Sequence, residues 1–339
     1  MKKEEGASVH WSRQKEKTAG YWHLKLVLIL FRLLPVVILR IFAFSVGFFY
    51  FVFSKSARDA SKNFMAKAAN FTDDPKMAKK CRSACAPLQH IISFALTLIE
   101  KIQTWGNKFP FKNLYFQDDA VGDLVKNLED GKGALIITSH LGNTELLRGL
   151  ASFNKTGVSR QIPVTIIVDM KITKDFSRML KEINPEFSLD IINVQDIGPQ
   201  TSILLEEKIA AGGIVSIAGD RTSAGNFGKN MNIPFLGEEA PFSPGIFHLV
   251  AFMQASQAPV QVPIYFMFAL RRKDLSLNPK YDMYVHKSNI SFYNSSRKER
   301  FMRSTELAVS FAAHLEAYCK KYPFQWYNFY NFWAKEVQE

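Results

Sequence analysis

Residues 133–150 constrain the fold of this chain more than any other stretch. The five residues 134–138 form a short apolar run bounded by glycine, which predicts a strand buried inside a sheet. After the polar corner at 139–144, leucines recur at helical spacing, so a helix is expected to start with Asn143 or Thr144 as its cap. The order strand, turn, helix predicts an α/β sheet, with ligands expected at the carboxyl end of this strand.

The polar corner carries His140, and Glu145 falls in the first turn of the predicted helix. A histidine that takes a proton from a hydroxyl works best when a carboxylate holds its second ring nitrogen, and Glu145 is the expected carboxylate. The pair therefore predicts a general base for an alcohol substrate that itself supplies the attacking oxygen. The alternative is a surface histidine with an unrelated glutamate that stabilises the start of a helix.

The composition limits the classes of partner. The chain has 339 residues and 47% hydrophobic content, enough for one large domain or two small ones with a substantial core. The formal charge of +12 predicts an acidic partner, which could be an anionic membrane surface, nucleic acid or an acidic carrier protein. Its three cysteines supply neither a disulfide framework nor a zinc site, so buried thiols in a reducing compartment are expected.

A long apolar run at residues 24–53 predicts a membrane-associated helix. Lys25, Arg32 and Arg40 interrupt it at steps of seven and eight residues, which places all three on one helical face. A helix lying in the interface, with these cations toward lipid phosphates, is favoured over a spanning helix, which needs roughly 20 apolar residues without such charges. A buried core helix is the other alternative. Residues 1–56 are thus predicted to form a basic segment and a membrane anchor.

Residues 57–339 are predicted to form a helical lead-in and one α/β domain, with a mainly parallel sheet flanked by helices. His90 in the lead-in is expected to be a core histidine without a functional role. Further strands are predicted at 164–168, 190–194, 214–218, 260–268 and 281–286, and helices at 176–183, 201–211, 246–253 and 298–321. Pro263 implies an edge strand or a bulge, and residues 233–245 are turn-rich. The terminal aromatic cluster at 324–333 is expected to seal the core or to line an acyl groove.

A second functional loop is predicted where the strand at 214–218 ends. Gly219 and the glycines that follow permit backbone amides to approach a ligand, and Arg221 offers a planar fork suited to phosphate. Asp220 stands between them, and the alternative is a plain turn with an Asp–Arg surface pair. No glycine-rich nucleotide-binding motif is present, so a nucleotide site is not indicated.

These motifs together resemble the bacterial lysophospholipid acyltransferase superfamily, and within it the late acyltransferases of lipid A synthesis and their less characterised relatives. The resemblance covers most of the chain. It rests on the N-terminal membrane segment and on a set of motifs in order: His140-x4-Glu145, Gly219-Asp220-Arg221, the Phe-Leu-Gly segment before Pro244-Gly245, the strand around 258–263, and the ending Pro323-Phe-Gln-Trp326. The N-terminal segment resembles that of the less characterised group in its pairs His10-Trp11 and Tyr21-Trp22.

The resemblance implies transfer of a fatty acyl chain from a thioester of acyl carrier protein or CoA to a hydroxyl of a membrane lipid. It places the reaction at the cytoplasmic face of a bacterial inner membrane. It implies no metal, no other cofactor, no covalent acyl-enzyme and no nucleic-acid partner. His140 and Glu145 would be catalytic, with Gly142, Asn143 and the loop of Gly219, Asp220 and Arg221 at the substrate; the amides near 141–143 or of that loop would hold the oxyanion.

The chain departs from the glycerol-3-phosphate branch of that superfamily, which usually has aspartate in the acid position and a Pro-Glu-Gly-Thr loop. Glu145 and Gly-Asp-Arg-Thr stand here instead, which argues against a simple lysophosphatidic acid acceptor. The competing hypothesis is a non-catalytic membrane lipid-binding protein on the same fold. The presence of both His140 and Glu145 argues against it. A hydrolase is disfavoured because no Gly-x-Ser-x-Gly elbow is present.

Overall fold

A seven-stranded sheet forms the centre of the computed structural model, in the strand order β1-β9-β8-β2-β5-β3-β4. Five strands, β8, β2, β5, β3 and β4, run parallel, whereas β9 is antiparallel to β8 and parallel to β1. The strands are β1 Leu114–Phe116, β2 Ala134–Thr138, β3 Val164–Val168, β4 Leu189–Asn193, β5 Ile214–Ala218, β6 Met231–Phe235, β7 Glu238–Phe242, β8 Ile264–Arg271 and β9 Tyr281–Lys287. The structure describes residues 29–30, 33–106, 108–117, 120–146, 158–168, 189–221, 230–253, 262–276 and 278–333.

Helices cover both faces of this sheet, which confirms the predicted α/β class. The described helices are α1 Val36–Phe53, α2 Lys55–Phe71, α3 Pro75–Cys81, α4 Ala86–Trp105, α5 Ala120–Glu129, α6 Pro199–Ala210, α7 Pro244–Met253 and α8 Arg297–Lys321. Successive residues of β2 point to opposite faces, so Leu135 belongs to the core cluster that contains Phe311 of α8, and Ile136 to the cluster that contains Leu124 of α5. β2 is therefore buried on both sides, as an apolar run without alternation predicts.

The sequence located most elements within a few residues but misread two of them. The segment 233–245, read as turns, contains the antiparallel hairpin of β6 and β7, whose corner has positive φ at Leu236 and Gly237. Pro263 precedes β8, which pairs with both β2 and β9, so the edge assignment is wrong. Because proline lacks an N–H, it stands one residue outside the ladder, where its carbonyl accepts from Leu135. The helix predicted at 176–183 lies outside the described residues.

Helix α1 is long and apolar enough to cross a membrane, by length and composition. Its exposed side chains are almost all apolar or aromatic: Val37, Ile38, Ile41, Phe42, Phe44, Phe48, Phe49 and Phe53. The opposite face packs along α4, with Gly47 so close to Ile92 that a Cβ atom there would lie 3.2 Å from the Ile92 Cα atom. One face of α1 is thus held by the domain, and the other offers a continuous apolar surface.

Arg40 does not point toward lipid phosphates, and that part of the interfacial prediction is wrong. The side chain is buried in the contact between α1 and α4, where its Nη2 atom lies 3.7 Å from Oε1 of Glu100. Glu100 also binds Arg271, with 2.7 Å between Nη2 and Oε2, and accepts a hydrogen bond from Tyr281. An unpaired buried cation is strongly destabilising, and Glu100 supplies the compensating negative charge. Lys25 and Arg32 lie outside the described residues.

Glu100→Gln is expected to destabilise the protein by about 3–5 kcal/mol, because it leaves two buried guanidinium groups without their carboxylate. Arg40→Met is the matched control: it removes one member but leaves Glu100 paired with Arg271, so the loss should be smaller. Thermal melts of the detergent-solubilised variants measure both. Equal melting temperatures for Glu100→Gln and the unaltered protein would contradict this account of the buried cluster.

Candidate active site

His140 and Asp220 meet at the carboxyl edge of the sheet. Strands β2 and β5 are parallel neighbours that end in register at Thr138 and Ala218, and each of the two polar residues follows its strand end by two positions. The carboxyl ends of parallel strands share one edge, so the register brings the side chains together. Nδ1 of His140 lies 2.7 Å from Oδ1 of Asp220, and the backbone N–H of His140 donates to Oδ2, also at 2.7 Å.

This contact fixes the tautomer of His140. An ionised carboxylate only accepts hydrogen bonds, so Nδ1 of His140 carries the proton and Nε2 keeps its lone pair. The Asp220 side chain is fully buried, whereas 30% of the His140 side chain is exposed. The basic ring nitrogen Nε2 therefore belongs to a partly exposed side chain, while the buried Asp220 carboxylate holds the other ring nitrogen.

The charges around the pair favour a neutral histidine and an ionised aspartate. Burial lowers the pKa of His140, the positive charges of Arg221 and Lys101 lower it further, and Asp220 opposes them. Burial raises the pKa of Asp220, but the charge and hydrogen bonds of His140 and the indole N–H of Trp326 outweigh it and hold that pKa below its usual range. At neutral pH the site thus contains a free imidazole base beside a carboxylate.

Glu145 does not hold the imidazole, and its predicted role as the orienting carboxylate is wrong. Its Oε2 atom accepts from the indole Nε1 of Trp105 at 2.8 Å. The helix begins only at Glu145, with Oδ1 of Asn143 accepting from the Glu145 N–H, and the chain first turns through Gly142 at a φ of +77°. Side chains three or four positions apart meet on a helix, whereas Glu145 follows His140 by five positions, and His140 lies outside this helix. Asp220, predicted at the substrate, is the histidine's partner instead.

The backbone amides proposed for the oxyanion are already bonded within the protein. Leu141 N donates to Ser139 Oγ, Gly142 N to the Gln325 carbonyl at 2.8 Å, and Asn143 N to the Ala269 carbonyl at 2.9 Å. An N–H that already donates to a protein acceptor is less available to stabilise a reacting oxygen. The structure therefore does not favour the first of the two predicted sets of oxyanion amides, and the second, in the glycine loop, lies largely outside the described residues.

The predicted substrate-binding glycines have packing roles. A Cβ atom on Gly142 would lie 2.0 Å from the Ala269 carbonyl oxygen, and one on Gly219 would lie 2.8 Å from the Phe311 ring. Both positions require glycine because backbone and core approach them closely. Asn143 is fully buried and caps the helix through Oδ1, and its Nδ2 makes no hydrogen bond to the part of the chain that the structure describes.

Arg221 directly follows Asp220 and is half-buried. Its effect on the pKa of His140 places its positive charge near the imidazole, and Lys101 of α4 acts in the same direction. Both positive charges thus oppose protonation of the imidazole, whereas Asp220 favours it. The remainder of the glycine loop, residues 222–229, lies outside the described part of the structure.

Sequence reasoning did not find the two tryptophans that hold the site's carboxylates. Trp105 donates to Glu145, and Trp326 donates through Nε1 to Oδ2 of Asp220 at 2.9 Å. The sequence predicts Trp326 only as part of the terminal aromatic cluster, which would seal the core or line an acyl groove, and 1% of its surface is exposed, as expected of a core residue. Its polar nitrogen was the available signal, since a buried indole N–H needs an acceptor.

Metal binding and similarity to known proteins add no further assignment. Within the described ranges, no group of three or more His, Cys, Asp or Glu side chains is placed to hold a metal ion. No model of a protein family matches this chain, and no curated protein matches its sequence.

Proposed function

We propose that this chain is a membrane-associated O-acyltransferase that moves a fatty acyl group from a thioester to a hydroxyl of a membrane lipid or glycolipid. The observation that carries the proposal is the His140–Asp220 pair, a neutral imidazole with its Nε2 lone pair at an accessible sheet edge. Ser139, the hydroxyl nearest in sequence, is buried and accepts from Leu141 N, which does not favour a serine nucleophile. A base without its own nucleophile suits a substrate alcohol.

The proposed reaction uses His140 twice. Nε2 takes the proton of the acceptor hydroxyl while that oxygen attacks the thioester carbonyl, forming the new C–O bond. The tetrahedral intermediate then expels the thiolate, which receives the proton from the imidazolium, and an ester and a free thiol result. Asp220 stays ionised throughout and stabilises the positive ring.

The position of α1 supports a lipid as the acceptor. The helix runs antiparallel to α4, as the contacts of Gly47 with Ile92 and of Arg40 with Glu100 show. Its beginning packs beside Trp105 at the end of α4, and the indole of Trp105 holds Glu145, five residues from His140. The apolar surface of α1 therefore continues to the end of the molecule that carries the site, where a membrane lipid can reach it.

The net charge supports an acidic acyl donor and an anionic surface. Acyl carrier proteins are acidic and CoA carries phosphates, so a chain with a charge of +12 attracts both. Arg221 and Lys101 extend this positive charge to the imidazole. We propose that Arg221 binds a phosphate of the donor arm or of the acceptor headgroup, at the cytoplasmic face of a bacterial inner membrane, where such donors are available.

Lipid analysis of cells without this chain tests the proposal. We expect one membrane lipid to lose an acyl group in the deletion strain, and the acylated species to return with the unaltered gene but not with His140→Ala at equal expression. His314→Ala is the matched control, because that imidazole donates to the Ser310 carbonyl within α8 and plays no part in the site. Identical lipid profiles in all strains would contradict an acyltransferase, and restoration by His140→Ala would favour a non-catalytic lipid-binding protein.

A further inference from the structure

Residues 325–328 near the end of the chain contact both the corner that carries His140 and the loop that carries Asp220. We call them the crossing segment. Its backbone pairs with the corner after β2: Gly142 N donates to the Gln325 carbonyl at 2.8 Å, and Tyr327 N donates to the His140 carbonyl at 3.0 Å. Leu141 and Trp326 form the antiparallel bridge between these two bonds. The crossing segment therefore fixes the backbone of the residue that carries the base.

Trp326 extends this contact to the second catalytic residue. Its Nε1 donates to Oδ2 of Asp220 at 2.9 Å, while Oδ1 faces the imidazole, so the two carboxylate oxygens have different partners. Asn328 Nδ2 donates to the backbone carbonyl of the same aspartate at 3.4 Å. A carboxylate held at both oxygens cannot rotate without losing a charge-assisted hydrogen bond.

The indole is itself held in a fixed frame. Nε2 of His90 donates to the Trp326 carbonyl at 2.9 Å, and the Ser61 hydroxyl donates to Nδ1 of the same ring at 2.9 Å. Burial lowers the pKa of His90 to about 3, so this ring stays neutral and keeps one tautomer. The rings of Phe64 and Phe235 pack edge-on against the indole, with centroids 4.8 and 5.3 Å away. His90, a core histidine without chemistry, thus supports the frame.

We propose that Trp326 is a positioning residue for the base of the transfer reaction, an inference that rests on the proposed function. Its indole N–H holds the Asp220 carboxylate so that Oδ1 faces Nδ1 of His140 and Nε2 points to the substrate. A residue that acts through another in this way changes the rate constant and the ionisation of the base, and leaves substrate affinity alone.

Loss of the indole donor has a defined electrostatic effect. The described charged groups that act on the His140 ring are Asp220 and Arg221 after β5 and Lys101 on α4. Without the Trp326 N–H, the negative charge of Asp220 is shared with one donor fewer and stabilises the imidazolium more strongly. Trp326→Phe should therefore raise the pKa of His140 and lower kcat by about 10-fold, with KM unchanged.

Modification by diethyl pyrocarbonate tests this without an acyl-transfer assay. The reagent acylates neutral imidazole, so mass spectrometry of the His140 peptide at a series of pH values reports the pKa of His140. We expect a higher midpoint in Trp326→Phe and an unchanged one in Trp333→Phe, a matched control that loses an indole bond to the Phe235 carbonyl instead. Equal midpoints in a folded Trp326→Phe protein would overturn the proposal and reduce Trp326 to a core residue.

If the Trp326→Phe protein fails to fold, a measurement on the unaltered protein still tests the proposal. The indole N–H resonance of Trp326 should titrate with the midpoint of His140 in ¹⁵N spectra, because both donate to the Asp220 carboxylate, whereas that of Trp333 should not. A Trp326 indole chemical shift that does not change as His140 titrates would overturn the positioning role. Neither readout requires turnover, so failure of the proposed function would show separately, as absent transfer with the coupled titration intact.

Discussion

Replacement of His140 by alanine is expected to lower the rate of acyl transfer by about 10²–10⁴, the usual contribution of a general base. The expectation follows from Nε2, the one atom of the pair with a lone pair at the accessible edge. The fold should survive, because Asp220 keeps two donors, the backbone N–H of residue 140 and the Trp326 indole. Initial rates with purified protein, beside a thermal melt, measure both effects, and His314→Ala is again the control.

Asp220→Asn is expected to produce a loss approaching about 10⁴-fold, the magnitude found when the buried carboxylate of a Ser-His-Asp triad becomes an amide. Both oxygens of Asp220 accept from N–H groups of His140 and Trp326, and an amide would turn its own hydrogens toward one of these donors. The imidazole would then lose the partner that fixes its tautomer. We also expect lower stability, since a buried donor is left unsatisfied.

Glu145→Gln is the control that separates the two carboxylates. The amide keeps an oxygen for the Trp105 indole, so the loss of rate should be much smaller than in Asp220→Asn. Paired rate measurements on the two folded variants decide between them. A larger loss in Glu145→Gln would restore the dyad that the His-x4-Glu spacing suggests and would contradict the role given to Asp220.

The sequence predicted the sheet and the edge at which the site lies because both depend on local patterns. The apolar runs of β2 and β5 marked two buried strands, and a parallel sheet brings their carboxyl ends together. His140 and Asp220 were therefore expected at one crevice. The pairing between them could not be predicted, because it depends on strand order and register, which nonlocal contacts determine.

The errors at Glu145 and Arg40 share one physical cause, which is that positions along the chain do not determine which side chain packs against a residue. Glu145 follows His140 by five positions, but the chain turns through a left-handed glycine between them, and Asp220 reaches the imidazole from the neighbouring strand end. Lys25, Arg32 and Arg40 have the spacing of one face, but α4 covers that face at Arg40 and supplies Glu100. Spacing predicts which side of a helix a residue occupies, whereas its partner depends on what packs there.

The most direct test of the central claim follows a labelled acyl chain in a single turnover with purified protein. The thioester of acyl carrier protein or of CoA carries the label, vesicles of membrane lipids from the deletion strain supply the acceptor, and products are separated by chromatography. The account predicts that the label moves to an alkali-labile lipid ester with the unaltered protein and stays on the thioester with folded His140→Ala. Near-normal transfer by folded His140→Ala, or a label that never leaves the thioester with the unaltered protein, would contradict the account.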